Sequence, residues 1–251
     1  MIKLSILCPT RNRTIAVERL LSSLIETTEN LAQVEVLFMY DEDDVITEAY
    51  LKNCISRFPL KIRRFAREQS DFLNRDYYNR LALASEGEFK WVCGDDLIFT
   101  KKGWDSHLLN TIDVFLSTRK DRVLYVALKD NTPKPPNTPQ YGNFPIISKN
   151  AIEAVGYFMP PTIPSWSSDF LIYLLYSHPQ VNRVLAIGEP IFQHVSIHTE
   201  QVGEDESSQK QRKAYSKYNV FELAKQWELE EAPTKIAQLI NYIYLHNKGQ
   251  V

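Results

Sequence analysis

The sequence lacks several features that mark common classes of protein. Among its 251 residues no apolar run reaches the roughly 18 residues that a membrane-spanning helix needs, so we expect no integral membrane segment. The formal net charge of −2 gives no broad positive surface, which argues against nucleic acid as a partner. Cysteine is scarce: Cys8, Cys54 and Cys93 have no metal-ligand spacing, so we expect free, buried thiols in a reducing compartment.

The amino terminus also lacks the pattern of a signal peptide. Its apolar run, residues 3–8, is too short, and no small-residue cleavage site follows it. The run instead resembles a first β-strand. We therefore expect a cytoplasmic protein.

What the first half does contain is a regular alternation of strand and helix patterns. Apolar runs predict strands at residues 3–8, 34–40, 61–66, 89–93 and 123–128. Helical patterns lie between them at residues 17–25, 47–57, 71–84 and 103–116, with Thr47 as the predicted cap of the second. Units of about 30 residues that alternate in this way are typical of a parallel sheet whose faces are covered by helices.

The second half is less regular. Residues 131–143 hold four prolines and predict a loop. Two helices and two strands follow, at residues 150–155, 166–176, 183–187 and 190–197. Residues 201–217 are polar and charged, and we predict a mobile segment before two closing helices at residues 219–227 and 234–247.

Polar side chains follow three of the predicted strands, at the point where each strand ends. They are Thr10, Arg11, Arg13, Asp41, Asp43, Asp95 and Asp96. Open α/β sheets bind ligands beyond the carboxyl ends of their strands. Carboxylates there can bind ribose hydroxyls or a divalent cation, and the arginines can bind phosphate. The pattern predicts a crevice for a nucleotide diphosphate.

Several short motifs occur together in this region. Asn79, Gly87-Glu88 and Gly94-Asp95-Asp96 follow one another at set spacing, and Pro9-Thr10-Arg11-Asn12 follows the first strand. The acidic run at residues 41–44 follows the second strand. In this order the motifs resemble those of inverting family 2 glycosyltransferases, which have a GT-A fold and a D-x-D metal-binding motif. The resemblance covers residues 3–100, and more loosely extends to His198.

The resemblance implies a donor site and a metal site. Asp96 fills the metal-binding position of D-x-D for Mn²⁺ or Mg²⁺, Asp95 fills its middle position, and Gly94 replaces its first Asp. A late histidine, His194 or His198, is implied as a further metal ligand. Residues implied to bind the nucleotide-diphosphate sugar are Pro9, Thr10, Arg11, Arg13, Asp41 or Asp43, and a helical stripe of Asn74, Tyr77 and Arg80.

The resemblance also implies an acceptor site in the second half. Asp169, in the run Ser165-Trp166-Ser167-Ser168-Asp169, matches the acid that deprotonates the acceptor hydroxyl. Trp166 is the candidate platform for an acceptor sugar. The acceptor class is a glycan or a lipid-linked sugar, and the apolar stripe of residues 236–244 leaves peripheral membrane association open.

The predicted fold class is therefore a mixed, mostly parallel α/β sheet of the GT-A type with a helical C-terminal extension. Residues 1–200 form the transferase domain, with a nucleotide-sugar-binding half at 1–100 and an acceptor half at 101–200, and residues 201–251 form a flexible loop and helices of the same domain. The predicted activity is metal-dependent sugar transfer to a hydroxyl group with inversion, a step of carbohydrate biosynthesis.

Other interpretations stay open at the level of sequence. The acids at residues 41–44, 95–96 and 169 can be solvated or can cap helices, and the histidines and Trp166 can be structural. A catalytically silent glycan-binding or scaffold protein on the same fold is one alternative. A sugar nucleotidyltransferase is another, although residues 9–13 lack the glycine-rich loop of that family. The base, sugar, acceptor and linkage are not encoded in any pattern that we recognise.

Overall fold

The first half of the chain folds into the strands and helices that its alternating pattern predicts. A computed structural model describes residues 1–134, 137–195 and 206–249. The first elements are β1 (Leu4–Pro9), α1 (Thr14–Thr27), β2 (Val34–Asp41), α2 (Val45–Arg57) and β3 (Lys61–Arg67). They are followed by a π-helical turn (Asn74–Tyr78), α3 (Asn79–Ala84), β4 (Phe89–Val92), β5 (Leu97–Phe99), α4 (Trp104–Leu116) and β6 (Tyr125–Leu128).

The second half of the chain contains three short strands and the C-terminal helices. Its elements are β7 (Ile146–Ser148), α5 (Lys149–Val155), α6 (Ser168–Ser177), β8 (Val184–Ile187), β9 (Phe192–His194), α7 (Glu206–Lys217), α8 (Val220–Gln226) and α9 (Ala232–Asn247). A second π-helical turn, Trp227–Glu231, joins α8 to α9. In the described residues no helix has the length and apolar character needed to cross a membrane.

The strands form a mixed, mostly parallel sheet, as the fold-class prediction states. Seven strands lie in the order β3-β2-β1-β4-β7-β6-β8, and β7 is antiparallel to both of its neighbours. Strands β5 and β9 pair separately as a small antiparallel sheet. Because β1, β2 and β4 are parallel neighbours, the polar residues that follow them meet at one edge of the sheet.

Aromatic packing holds the two sheets together beneath that edge. Trp91 of β4 is fully buried, with its ring centroid 5.3 Å from that of Phe99 and 5.4 Å from that of Trp104. Phe192 of β9 lies 5.9 Å from Trp91 in the same cluster. Removing such a side chain costs about 3–5 kcal/mol of stability, so the ends of β4 and β9 are fixed with respect to each other.

Three local predictions differ from the structure. The cap of α2 is Asp44, whose carboxylate accepts a hydrogen bond of 3.0 Å from the backbone N–H of Thr47. The predicted helix at residues 71–84 contains the π-helical turn, which changes the angular position of the residues after it. Residues 206–217 form a helix, α7, which the sequence patterns do not predict, whereas the mobility of this segment stays a prediction.

Candidate active site

A single large cavity lies at the edge where β1, β2 and β4 end. Its volume is about 710 Å³, within the range of roughly 300–1,000 Å³ found for small-molecule sites. Most of the predicted site residues line it: Pro9, Thr10, Arg11, Arg13, Asp41, Asn74, Tyr77, Asp95, Asp96, Trp166, Asp169 and His194. The cavity therefore brings together residues that are up to 185 positions apart in the chain, from Pro9 to His194.

One end of the cavity is built from paired charges. Arg11 donates hydrogen bonds to Asp41 at 3.0 Å and to both carboxylate oxygens of Asp43. Asp41 is buried and also accepts a hydrogen bond from the Tyr77 hydroxyl, whereas Asp43 is exposed and does not line the cavity. The hydrogen bond from Arg11 lowers the pKa of Asp43. We call this region, with Arg13 and Asp95, the donor end.

Asp95 ties the end of β4 to the loop after β1. Its carboxylate accepts a hydrogen bond of 2.6 Å from the Thr10 hydroxyl and one of 3.0 Å from Arg13. Burial raises its pKa to about 6, because the loss of water outweighs the attraction of Arg13. Both carboxylate oxygens are occupied, so Asp95 positions this part of the site.

Asp96 faces His194 of β9. The carboxylate oxygen Oδ2 of Asp96 lies 3.2 Å from Nε2 of His194, and Oγ1 of Thr132 lies 3.0 Å from the other ring nitrogen, Nδ1. A Cβ atom built on Gly94 would overlap Oδ1 of Asp96. Gly94, which replaces the first acid of D-x-D, thus leaves room for the Asp96 carboxylate in its present position.

The donor atoms of this pair fit a divalent cation. Carboxylate oxygen and imidazole nitrogen both bind Mn²⁺, and Mg²⁺ is usually held by one or two carboxylates together with substrate phosphates. Among residues 1–134, 137–195 and 206–249, no group of three or more His, Cys, Asp or Glu side chains is placed to hold a metal. Asp96 and His194 would therefore share a cation with the phosphates of a ligand. His198 lies outside the described residues.

Asp169, near the start of α6, lines another part of the cavity. Ser167, which precedes this helix, has a left-handed backbone (φ 72°), an uncommon conformation for a residue with a side chain. Burial raises the pKa of Asp169 to about 6, although the backbone N–H groups of Phe170 and of Asp169 itself lower it. We call this region, with Trp166 and Tyr141, the acceptor end.

Asn74 and Trp166 differ in what they can offer a ligand. Asn74 is buried, and its side-chain amide donates to the carbonyl oxygen of Ile163 at 2.7 Å, so it holds the loop before α6. Trp166 is half-buried, and its ring centroid lies 5.6 Å from that of Tyr215 on α7. The indole thus packs near the Tyr215 ring while it lines the cavity.

Arg80 departs from the predicted donor stripe. Its side chain is 61% exposed and does not line the cavity, and its nearest acid is Asp76 at 4.0 Å. The π-helical turn over residues 74–78 explains the difference, because an i+3 stripe assumes a regular α-helix.

Two motif residues that carry the family resemblance have structural contacts. The side-chain oxygen of Asn79 accepts hydrogen bonds from the backbone N–H groups of Phe158 and Met159, at 2.9 Å and 2.8 Å. Gly87 packs against Ser5, whose Oγ would lie 2.6 Å from a Cβ atom at this position. These residues support the cavity from outside it.

Helix α7 covers the donor end and was missed by the sequence analysis. Lys210 lines the cavity, and in the described part of the chain no carboxylate oxygen lies within 4.0 Å of its ammonium group. Burial lowers the pKa of Lys210. The helix is held by Asp71, which accepts hydrogen bonds of 2.8 Å from Lys217 and 2.9 Å from the Tyr218 hydroxyl.

A signal for this helix exists in the sequence, although it is weak. Residues 206–218 contain no glycine or proline, and Glu206 precedes Lys210 by four positions, a spacing that supports helices. The helix lacks an apolar stripe, since Ala214 is its one buried apolar residue among those described. Hydrophobic periodicity therefore could not reveal it.

Comparison with known proteins agrees with the fold. No protein-family model and no curated protein sequence matches the chain. A crystal structure of S. aureus TarS 1-349 matches 99% of the chain and 82% of its own length, with a TM-score of 0.58 and 14% identity. The complex of the same TarS fragment with UDP-GlcNAc matches 99% of the chain and 73% of its own length, with a TM-score of 0.61 and 16% identity.

A third solved structure is that of a mannosyltransferase. The mannosyltransferase PcManGT from Pyrobaculum calidifontis, in complex with GDP-Man and Mn²⁺, matches 96% of the chain and 73% of its own length. Its TM-score is 0.59 and its identity 11%. At such low identity the likeness establishes the fold, which is of the GT-A type.

Proposed function

We propose that this chain is a glycosyltransferase that moves a sugar from a nucleotide-diphosphate sugar to a hydroxyl acceptor, with inversion. One observation carries the proposal. A single cavity on a GT-A-type fold joins paired charges at its donor end to a carboxylate with a pKa of about 6 at its acceptor end. A two-substrate transfer needs both ends within one cavity.

The donor end supports a nucleotide-diphosphate sugar as one substrate. TarS and PcManGT have been crystallised with UDP-GlcNAc and GDP-Man, respectively. In this chain Thr10, Arg11 and Asp41 would contact the nucleoside, with Arg13 and Lys210 near the phosphates. Lys210 is the better candidate for a direct phosphate contact, because Arg13 already binds Asp95.

Asp96 and His194 would hold Mn²⁺ or Mg²⁺. A cation there would supply positive charge that stabilises the diphosphate as it leaves. The Oδ2–Nε2 distance of 3.2 Å and the room that Gly94 leaves for the Asp96 carboxylate support this assignment.

Asp169 would act as the general base. It would take the proton of the acceptor hydroxyl as the acceptor oxygen forms a bond to the anomeric carbon and the bond from that carbon to the diphosphate oxygen breaks. Attack from the face opposite the leaving group inverts the anomeric centre in one displacement. A pKa of about 6 suits a base that works near neutral pH.

The acceptor is a glycan or a lipid-linked sugar in this proposal. Trp166 offers a ring on which a sugar face can stack, and Tyr141 and Phe170 add aromatic surface at the same end of the cavity. Residues 1–100 would form the nucleotide-sugar half and residues 101–200 the acceptor half. A cytoplasmic location with contact to a membrane surface stays a prediction.

A panel of nucleotide sugars tests the proposal directly. Binding should raise the melting temperature when Mn²⁺ is present, and the ligand that binds should then be consumed when hydroxyl acceptors are added. Asp96→Asn and Asp169→Asn should lose transfer, and Asp113→Asn, an exposed acid on α4, should keep it.

The two alternatives give different results in the same experiment. A silent glycan-binding protein would bind sugars but release no nucleotide with any donor. A sugar nucleotidyltransferase would instead release pyrophosphate from a nucleoside triphosphate and a sugar 1-phosphate. Either result would contradict the proposal.

A further inference from the structure

His194 is held by the first two residues of the proline-rich loop, Asn131 and Thr132. The side-chain oxygen of Asn131 accepts a hydrogen bond of 2.7 Å from the backbone N–H of His194, and its amide donates one of 3.1 Å to the His194 carbonyl oxygen. Asn131 thus binds the histidine backbone in the way that a neighbouring strand would. These contacts fix the end of β9 against the end of β6.

Thr132 contacts the imidazole ring itself. Its hydroxyl oxygen lies 3.0 Å from Nδ1, on the side of the ring away from Asp96. The backbone N–H of Thr132 donates a hydrogen bond of 2.7 Å to Asp130, and Asp130 also accepts one of 3.3 Å from Asn143. The Thr132 hydroxyl therefore belongs to a turn whose backbone is fixed by hydrogen bonds to Asp130.

Phe144 packs against the same ring. The two ring centroids are 4.8 Å apart, and the ring planes meet at 82°. With Thr132 at Nδ1, Asp96 near Nε2 and Phe144 packed against the ring, the imidazole has little freedom to rotate. A histidine restrained in this way suits a ligand position.

A hydroxyl can satisfy either tautomer of His194. If Nε2 carries the proton, it donates to Asp96 and the Thr132 hydroxyl donates to Nδ1. If Nδ1 carries the proton, it donates to Thr132 and Nε2 presents a free electron pair toward Asp96. Only the second tautomer can bind a cation through Nε2, and a valine at position 132 could support neither.

We infer that Thr132 is the residue that prepares His194 as a metal ligand and that Asn131 sets the position of its backbone. The inference rests on the metal site of the proposed function. Histidines that bind metals nearly always donate their other ring N–H to an oxygen, and loss of that partner lowers metal affinity by about 10–100-fold. The sequence motifs do not include either residue, so this chain's metal site extends into the loop that follows β6.

Titration of Mn²⁺ against the full chain tests this inference without an activity assay. Free Mn²⁺ is measured by electron paramagnetic resonance, with UDP or GDP as the added nucleotide. We expect Thr132→Val to weaken Mn²⁺ binding by about 10–100-fold and Thr132→Ser to restore it, because serine keeps the hydroxyl. Melting temperatures of the two variants should differ little, since Asn131 still holds β9.

Thr138→Val is the matched control. Thr138 also lines the cavity, and its replacement removes a hydroxyl of the same kind at a position that does not contact His194. Equal Mn²⁺ affinity in wild type and Thr132→Val, or an equal loss in Thr138→Val, would overturn the inference and leave the proposed transferase intact. Failure of the wild type to bind Mn²⁺ with either nucleotide would overturn the metal site and the inference together.

Discussion

The two ends of the cavity each contain an aspartate with a pKa of about 6, and the two aspartates are placed for different tasks. Asp95, at the donor end, is 3% exposed, and its oxygens accept hydrogen bonds from Thr10 and Arg13. Asp169, at the acceptor end, lines the cavity, and no cation of the described residues lies within 4.0 Å of its carboxylate.

The difference shows that a raised pKa alone does not make a base. Burial raises the pKa in both residues, because it disfavours the charged carboxylate. A base must also present an oxygen to the substrate, and both oxygens of Asp95 already accept hydrogen bonds from Thr10 and Arg13. We therefore assign Asp95 to positioning and Asp169 to proton transfer.

The largest effect is expected from Asp169→Asn. Asparagine cannot accept the acceptor proton, so kcat should fall by about 10²–10⁴-fold while donor affinity, measured by calorimetry, stays unchanged. Asp113→Asn is the control on an exposed helix face. If the kcat of Asp169→Asn stays within a few fold of the wild type, Asp169 is not the base. The two aspartates would then not differ in the way proposed.

Asp95→Asn should act on donor binding rather than on chemistry. Asparagine can still accept from Thr10, but the loss of charge releases Arg13 and loosens the link between β1 and β4. We expect donor affinity to fall by about tenfold, the value of about 1.4 kcal/mol for one hydrogen bond to a charged group, with a smaller change in kcat. A loss of kcat as large as that of Asp169→Asn would contradict this division of roles.

The pH dependence of transfer should follow Asp169. Below a pKa of about 6 the carboxyl is protonated and cannot accept a proton, so kcat/KM for the acceptor should rise about tenfold between roughly pH 5 and 7. The charged and titratable groups that act on Asp169 are Lys134, Asp130, Tyr125 and Tyr141. The residual activity of Asp169→Asn should lack this rise, and a flat wild-type profile would speak against the assignment.

Lys210→Met measures how far α7 contributes to the donor end. Removing a cavity cation that forms no ion pair within 4.0 Å among the described residues should raise KM for the donor by about threefold to tenfold and reduce the salt dependence of binding. Lys213→Met, an exposed position on the same helix, is the control. If both variants behave alike, the effect belongs to the net charge of the helix and not to Lys210.

The smallest effect concerns stability. The pKa of Asp169 is about 6 in the folded chain against 3.8 as a free group, so ionisation destabilises the fold as the pH rises through this interval. Asp169→Asn should therefore raise the melting temperature by about 2–6 °C near pH 7.5 and by much less near pH 4. A lower melting temperature at pH 7.5 would mean that the carboxylate is a structural cap of α6.

Local patterns in the sequence were sufficient to predict that three of the polar residues meet at one edge of the sheet. Thr10, Asp41 and Asp95 follow strands that the apolar runs predict, and parallel neighbours bring such residues to one edge. Arg80 does not line the cavity, and the sequence did not indicate this, because a π-helical turn has no hydrophobic signature in a run as polar as residues 74–80.

Contacts between distant segments could not be predicted in the same way. The bonds from Asn131 and Thr132 to His194 span 63 and 62 residues, and neither residue belongs to a periodic pattern. Helix α7 was missed for a related reason, since polar anchors such as Asp71 hold it in place of an apolar face. Such features depend on the assembled fold.

Asn79 has a consequence for how this fold could be recombined. Its side chain makes three hydrogen bonds to the backbone of residues 158–159, at 2.8–2.9 Å, and so joins a helix of residues 1–100 to a loop of residues 101–200. A chimera that replaces residues 101–200 with the matching part of another protein of this fold must therefore keep both Asn79 and the backbone conformation of the loop at residues 158–159. The two parts of the chain are therefore joined by the hydrogen bonds of one side-chain amide as well as by the polypeptide between them.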